Sequence, residues 1–148
     1  MSWQVIRPQI ATLLEGIPEI QEVSSTPKIK FEGYPAVHVI PSDNSNEYET
    51  TAENERVYAF TVRAFYETKS GGVEDAFEKL EEVVDKIIDE FDLEGMRDGV
   101  NRTVAIGLPS RYTFINLFAI PSRWGDLPEE ELLMAEIIVR VRLSIDVT

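Results

Sequence analysis

One histidine and a group of paired carboxylates are the residues of this sequence most suited to chemistry. His38 is the only histidine, and it stands in the apolar run Ala36–Ile40, which predicts a β-strand. Acid–base or nucleophilic catalysis needs a partner within hydrogen-bond reach of the imidazole. A Ser-His-Asp triad stays arithmetically possible, but the sequence has no nucleophile-elbow motif. A structural role for His38 is therefore the favoured interpretation.

The carboxylates recur at helical spacing. Glu78 and Glu82 are four residues apart in a predicted helix, as are Asp85 and Asp89, so each pair lies on one helical face. Two carboxylates within reach of each other could hold a cation. Runs of like charge more often form a solvated face, or a face that meets a cationic partner. We favour the solvated face and keep the metal site as an alternative.

Other metal sites have little support in the sequence. A segment that begins Asp43, Ser45, Glu47 superficially resembles a calcium-binding loop. However, Tyr48 occupies the place of the required glycine, and Asn54 that of the bidentate acid. Zinc is disfavoured by the single histidine and the absence of cysteine. We therefore predict neither a metal nor a cofactor.

The composition is that of a folded domain with a strongly acidic balance. The chain has 148 residues, of which 43% are hydrophobic and 28% charged, and we treat residues 1–148 as one domain. Its 27 acidic and 14 basic residues give a net charge of −13, opposite in sign to that of domains that grip phosphates. Without cysteine, neither a disulfide nor a thiolate site can form.

The sequence also bears on location. No apolar run approaches the roughly 18 residues that a membrane span needs, so we expect no membrane association. The segment Met1–Val5 lacks the basic start and apolar block of a secretion signal, so we expect synthesis in the cytoplasm.

Hydrophobic periodicity predicts the elements that position these residues. Apolar stripes indicate helices over Ser2–Glu15 and Val73–Phe91. Alternating or continuous apolar runs predict strands at Ile20–Ser24, Ala36–Ile40, Arg56–Glu67, Val100–Leu108 and Glu136–Val147. Tyr112–Ile120 fits either a strand or an inserted loop, and Pro121–Glu131 is turn-like. This pattern predicts an α+β fold with a mostly antiparallel sheet of four to five strands and two main helices packed on it.

The first predicted helix contains an awkward residue. Pro8 removes a backbone donor, so we expect it to kink the helix or delay its start. Gly16 is the expected C-terminal cap, with Pro18 just beyond it.

Three arginines lie on the less apolar faces of predicted strands. They are Arg63 on one long strand, and Arg140 and Arg142 on the last strand. In one interpretation they pair with glutamates and aspartates across the sheet. In the other they meet acidic residues of an adjacent subunit. The sequence leaves both interpretations open.

A long polar segment, Ser42–Glu55, joins two predicted strands. Long loops in compact domains are usually functional or mobile. We predict that this segment contacts a partner, and its candidate contact residues are Asp43, Asn46, Glu47, Tyr48, Glu49 and Glu53.

Several segments in fixed order resemble the tail terminator (tail-completion, head–tail joining) proteins of long-tailed bacteriophages. They are a first helix ending in Leu13–Ile17, then Phe31–Val37, then the polar loop with Asn54–Phe60, then a helix bearing Val83–Asp89, and the alternating last strand. The resemblance covers most of the chain, and its motifs contain no catalytic residues.

The resemblance implies a structural virion protein of the tail or neck. Such proteins form a ring, typically a hexamer, that caps the growing tail tube, ends its polymerisation and presents a surface to the head connector. DNA then passes through the lumen without specific binding, which an acidic lumen would favour. The implied partners are further copies of the chain, the tail-tube protein and the head connector or stopper protein.

Two alternatives remain at this point. The nearer is another head–tail joining component, such as a connector stopper or a minor tail protein. The more distant is a small enzyme or ligand-binding domain with a carboxylate site around Asp85 and Asp89.

Overall fold

A computed structural model describes residues 2–27, 31–41, 55–68, 72–96 and 112–145. Within these ranges it contains two α-helices, one short 3-10 helix and five strands. In chain order they are α1 (Ser2–Glu15), β1 (Glu22–Ser24), β2 (Ala36–Pro41), β3 (Glu55–Glu67), α2 (Gly72–Met96), β4 (Tyr112–Leu127), the 3-10 helix (Pro128–Glu130) and β5 (Leu132–Ile145).

The strands form one sheet in the order β1-β2-β3-β5-β4. The short β1 runs parallel to β2, and every other described pair is antiparallel. The long β3 and β5 pair along their whole length, from Glu55 opposite Ser144 to Glu67 opposite Leu132. The predicted α+β fold, with a mostly antiparallel sheet and two helices packed on it, is confirmed.

Helix α1 has the bounds that its apolar stripe predicts. Ile6, Ile10 and Leu14 are fully buried, whereas Pro8 is exposed. The helix begins at Ser2 and continues through Pro8, so the expectation of a delayed start is wrong, while the alternative of a kink at Pro8 stays a prediction. The Thr12 hydroxyl donates to the Pro8 carbonyl at 3.0 Å, which supplies that carbonyl with a side-chain partner.

Helix α2 is longer than its predicted range and begins at Gly72. Gly72 has a φ of +82°, a conformation that only glycine adopts without strain, and its N–H donates to the Thr68 carbonyl at 2.8 Å. The helix then buries a stripe of apolar side chains: Ala76, Leu80, Val83, Val84, Ile87 and Phe91.

Alternation along the strands divides the sheet into two faces. On one face, which we call the helix face, the side chains of Phe60, Val62, Ile137 and Val139 are completely buried and cluster with both helices. Each buried side chain of this kind contributes roughly 1.5–3 kcal/mol to folding through the hydrophobic effect. The helix face therefore carries the main core.

The opposite face, which we call the open face, carries a small apolar cluster at one end. Phe65, Leu132 and Met134 are buried there, with Phe31 and Tyr34 packed against them. The ring of Phe31 lies 5.5 Å from that of Phe65 and 5.9 Å from that of Tyr34. The segment before β2 thus covers this end of the sheet.

Strand β4 corrects the prediction for the last third of the chain. Tyr112–Ile120 is a strand, and the strand continues to Leu127, so the prediction of a turn over Pro121–Glu131 is largely wrong. Pro121 lies at a register shift, one of the few places where a sheet accepts proline. A Cβ on Gly125 would lie 3.3 Å from Cε of Met134, so this glycine permits a close approach between strands.

The chain turns only after Leu127. The 3-10 helix is followed by Glu131 in the left-handed conformation, at a φ of 56°, and the Glu131 carbonyl accepts from the Thr68 N–H at 2.8 Å. Strand β5 accordingly begins at Leu132, earlier than predicted. The predicted strand Val100–Leu108 lies outside the described residues.

Candidate assembly surface

The open face brings together the arginines that the sequence singled out. Register places Arg63 opposite Glu136, and Arg140 opposite Ala59 on the same side of the sheet. Arg142, two residues further along β5, also falls on this side, opposite Val57. Residues 140 and 142 are half-buried. The three predicted positions therefore share one surface.

Arg63 forms an ion pair within its own subunit. Its Nε donates to Oε2 of Glu136 at 3.1 Å, and the side chains are 26% and 11% exposed. This is the cross-sheet pairing that one of the two interpretations described. Contact of Arg63, Arg140 or Arg142 with a neighbouring subunit stays a prediction.

A fourth arginine joins this group, and the sequence did not reveal it. Nε of Arg123 lies 3.7 Å from the same Oε2 of Glu136, and the Arg123 side chain is 65% exposed. The sequence predicts a turn around Arg123, so it assigns this residue to neither face of the sheet. A register shift between Pro121 and Arg123 also breaks the alternation that would have assigned Arg123 to this face.

His38 is buried on the open face. It is 3% exposed, stands opposite Arg63 in the register, and packs edge-on against Phe65 with ring centroids 5.2 Å apart. A structural role for His38 stays a prediction.

Strand β4 and helix α2 form another surface, on the other side of the sheet. The rings of Phe77 and Trp124 are stacked, with centroids 5.0 Å apart and planes at 19°. Phe77 is 40% exposed, Trp124 39%, and Val73, one helical turn before Phe77, 54%. These neighbouring exposed side chains form a candidate interaction surface.

The paired carboxylates of α2 lie on its solvent-facing side. Glu78, Glu82, Asp85 and Asp89 are all exposed, as the favoured interpretation predicted. Asp89 lines a shallow cleft of about 380 Å³ with Glu19, Lys86 and Glu90, but Asp85 does not. Across the residues that the structure describes, no three histidine or acidic side chains group as a metal site.

The predicted loop contacts Asp43, Asn46, Glu47, Tyr48, Glu49 and Glu53 lie outside the described residues, as does the calcium-loop pattern. Neither helix of the described chain is long and apolar enough to span a membrane.

Comparison with known proteins gives a likeness of structure without a likeness of sequence. No family model and no curated protein matches the chain. Among solved structures, the fold is similar to that of a chain in the virion of a native gene transfer agent particle. The TM-score is 0.53 at 13% sequence identity, and the match covers 97% of this chain and 91% of the other. At that identity the likeness establishes a shared fold.

Proposed function

We propose that this chain is a structural virion protein of a phage-like particle. In this role it forms a ring that caps the tail tube, ends the polymerisation of the tube and joins it to the head connector. The observation that carries the proposal is the fold match to a virion chain, which extends over 97% of this chain. The ordered segments that resemble tail terminator proteins support the finer assignment to the tail end.

The distribution of side chains supports a protein that works through its surfaces. His38 is buried against an aromatic ring, and the α2 carboxylates point to solvent. By contrast, the exposed rings of Phe77 and Trp124 and the arginines of the open face are placed to contact other proteins. Our proposal therefore includes no catalysed reaction and no cofactor.

The acidic balance fits a protein through which DNA passes. A net charge of −13 repels phosphates, so a lumen lined with acidic side chains would let the genome slide without adhering. In this proposal the protein is synthesised in the host cytoplasm and resides in the tail or neck of the virion.

Electron microscopy of the purified protein mixed with tail tubes of the particle that encodes it tests this proposal. We expect a ring at one end of each tube, and tubes that no longer lengthen when fresh tube subunits are added. An unrelated acidic protein of similar mass serves as the control and should leave tube growth unchanged.

Two results would count against a terminator. Tubes that grow equally well with the protein present would contradict the capping role. Binding to the isolated head connector without any binding to the tube would instead favour the alternative of a connector stopper or other neck component.

A further inference from the structure

Among the side chains whose exposure the structure describes, four large hydrophobic ones are exposed, and these four lie on two surfaces. Val73, Phe77 and Trp124 form the first surface, and Ile120 belongs to the second. Both surfaces include residues of β4, but they lie on opposite sides of the sheet. Their charges also differ in sign.

The first surface, which we call the aromatic patch, consists of Val73, Phe77 and Trp124 and has an acidic border. Helical spacing places Glu74 and Glu81 beside Phe77, and Glu78 one turn after Glu74, and all three glutamates are exposed. An aromatic stack with an acidic border is suited to an apolar surface bordered by cations, because charges of opposite sign then meet around a dry centre.

The second surface, which we call the arginine patch, consists of Ile120, Ile138, Arg63, Arg123 and Arg140. Ile120 is 50% exposed and stands opposite the half-buried Ile138. Arg123 and Arg63 flank this isoleucine pair on one side, and Arg140 on the other. Among the described side chains here, Glu136 is an acid that Arg63 and Arg123 both contact, so arginines outnumber acids at these positions.

We propose that two copies of this chain bind through these patches, the aromatic patch of one copy against the arginine patch of the next. The occupant of each patch is thus a second copy of the same protein. The argument rests on charge complementarity and on the presence of an exposed apolar centre in each patch. A contact of either patch with itself would bring like charges together, which is unfavourable.

The geometry makes this contact heterologous. Because the two patches lie on opposite sides of one sheet, each copy offers a free patch to a further copy, and the assembly closes into a ring or continues as a filament. The proposal deepens the proposed function, since it names the surfaces by which ring subunits would join. It concerns the purified protein alone, so it can fail without affecting the test with tail tubes.

Site-directed cross-linking tests the contact. The natural chain has no cysteine, so single cysteines introduced by Glu78→Cys and Arg123→Cys are unique reporters of the two patches. We expect a short bifunctional maleimide to yield mainly the mixed 78–123 dimer when the two variants are combined. Glu15→Cys, an exposed position on α1, is the control and should cross-link with neither.

Charge reversal gives a second readout of the same contact. Glu78→Lys and Arg123→Glu should each weaken self-association in sedimentation by roughly three- to tenfold, the scale of an exposed ion pair turned into a repulsion. The double variant should recover most of the loss, because every interface then pairs the two reversed charges. Circular dichroism and thermal unfolding verify that each variant is folded.

Specific outcomes would overturn the proposal. Dominant 78–78 or 123–123 dimers would show a symmetric contact in place of a heterologous one. Cross-linking no greater than that of Glu15→Cys at the highest soluble concentration would contradict the proposal. So would a double variant whose loss of self-association equals the sum of the two single losses. If tubes are nevertheless capped, the proposed function stands and only the assigned surfaces are wrong.

Discussion

The two faces of the sheet carry very different side chains. On the helix face, Phe60 and Ile137 are completely buried among apolar neighbours. On the open face, Glu136 is held by two arginines, and Ile120 is half exposed. Apolar packing supplies most of the free energy of folding, whereas exposed ion pairs supply little. We conclude that the helix face maintains the fold, whereas the β4 side of the open face leaves Ile120 and Arg123 exposed.

Truncation of a core side chain should have the largest effect on the free energy of unfolding. Phe60→Ala would leave a cavity beneath the helices and lower the free energy of unfolding by about 3–5 kcal/mol. Ile120→Ala, on the open face, is the matched control and should change it by less than about 0.5 kcal/mol. Urea denaturation measures both. Similar losses for the two variants would contradict the division of roles between the faces.

Removal of the Glu136 carboxylate, which Arg63 and Arg123 share, should have an intermediate effect on the free energy of unfolding. Glu136→Gln takes the anionic partner from Arg63, and we expect a loss of about 1–2 kcal/mol, the scale of a charge-assisted hydrogen bond. Glu78→Gln, at an exposed position, should be close to neutral. A double-mutant cycle with Arg63→Met isolates the pair. A coupling energy that is zero, or unchanged by high salt, would argue against the ion pair as the cause.

The aromatic stack should contribute least to stability. A double-mutant cycle between Phe77→Ala and Trp124→Ala should give a coupling energy of about 0.5–1 kcal/mol, because both rings are partly exposed. Val73→Ala combined with Trp124→Ala provides the comparison, and its coupling energy should be smaller. A coupling energy as large as the loss of about 3–5 kcal/mol expected for Phe60→Ala would show that the aromatic patch is part of the folding core.

Local sequence patterns were sufficient to predict the helices and strands that have strong hydrophobic periodicity. The stripe in α1 predicted its bounds, and the alternation in β3 and β5 predicted both long strands. The strand β4 was only partly recognised, because Pro121 and Gly125 usually mark turns and the register shifts interrupt its alternation. Whether the sheet accepts Pro121 and Gly125 depends on their neighbours in β5, which the local sequence does not reveal.

The candidate surfaces depend on contacts between distant residues. Arg63 and Glu136 are 73 positions apart, and their pairing follows from β5 lying between β3 and β4. The sequence predicted that Arg63, Arg140 and Arg142 occupy a polar face, which is correct. It could not reveal Arg123 as a second partner of Glu136, or the contact between Phe77 and Trp124, because strand order and helix placement determine both.

The position of Glu136 also constrains how the strands align during folding. Its carboxylate reaches an arginine on each neighbouring strand, Arg63 on β3 and Arg123 on β4. Sliding β5 by one residue would turn Glu136 toward the helices and place a charge in an apolar interior. That misaligned sheet would be strongly disfavoured, so a single side chain helps three strands select one alignment.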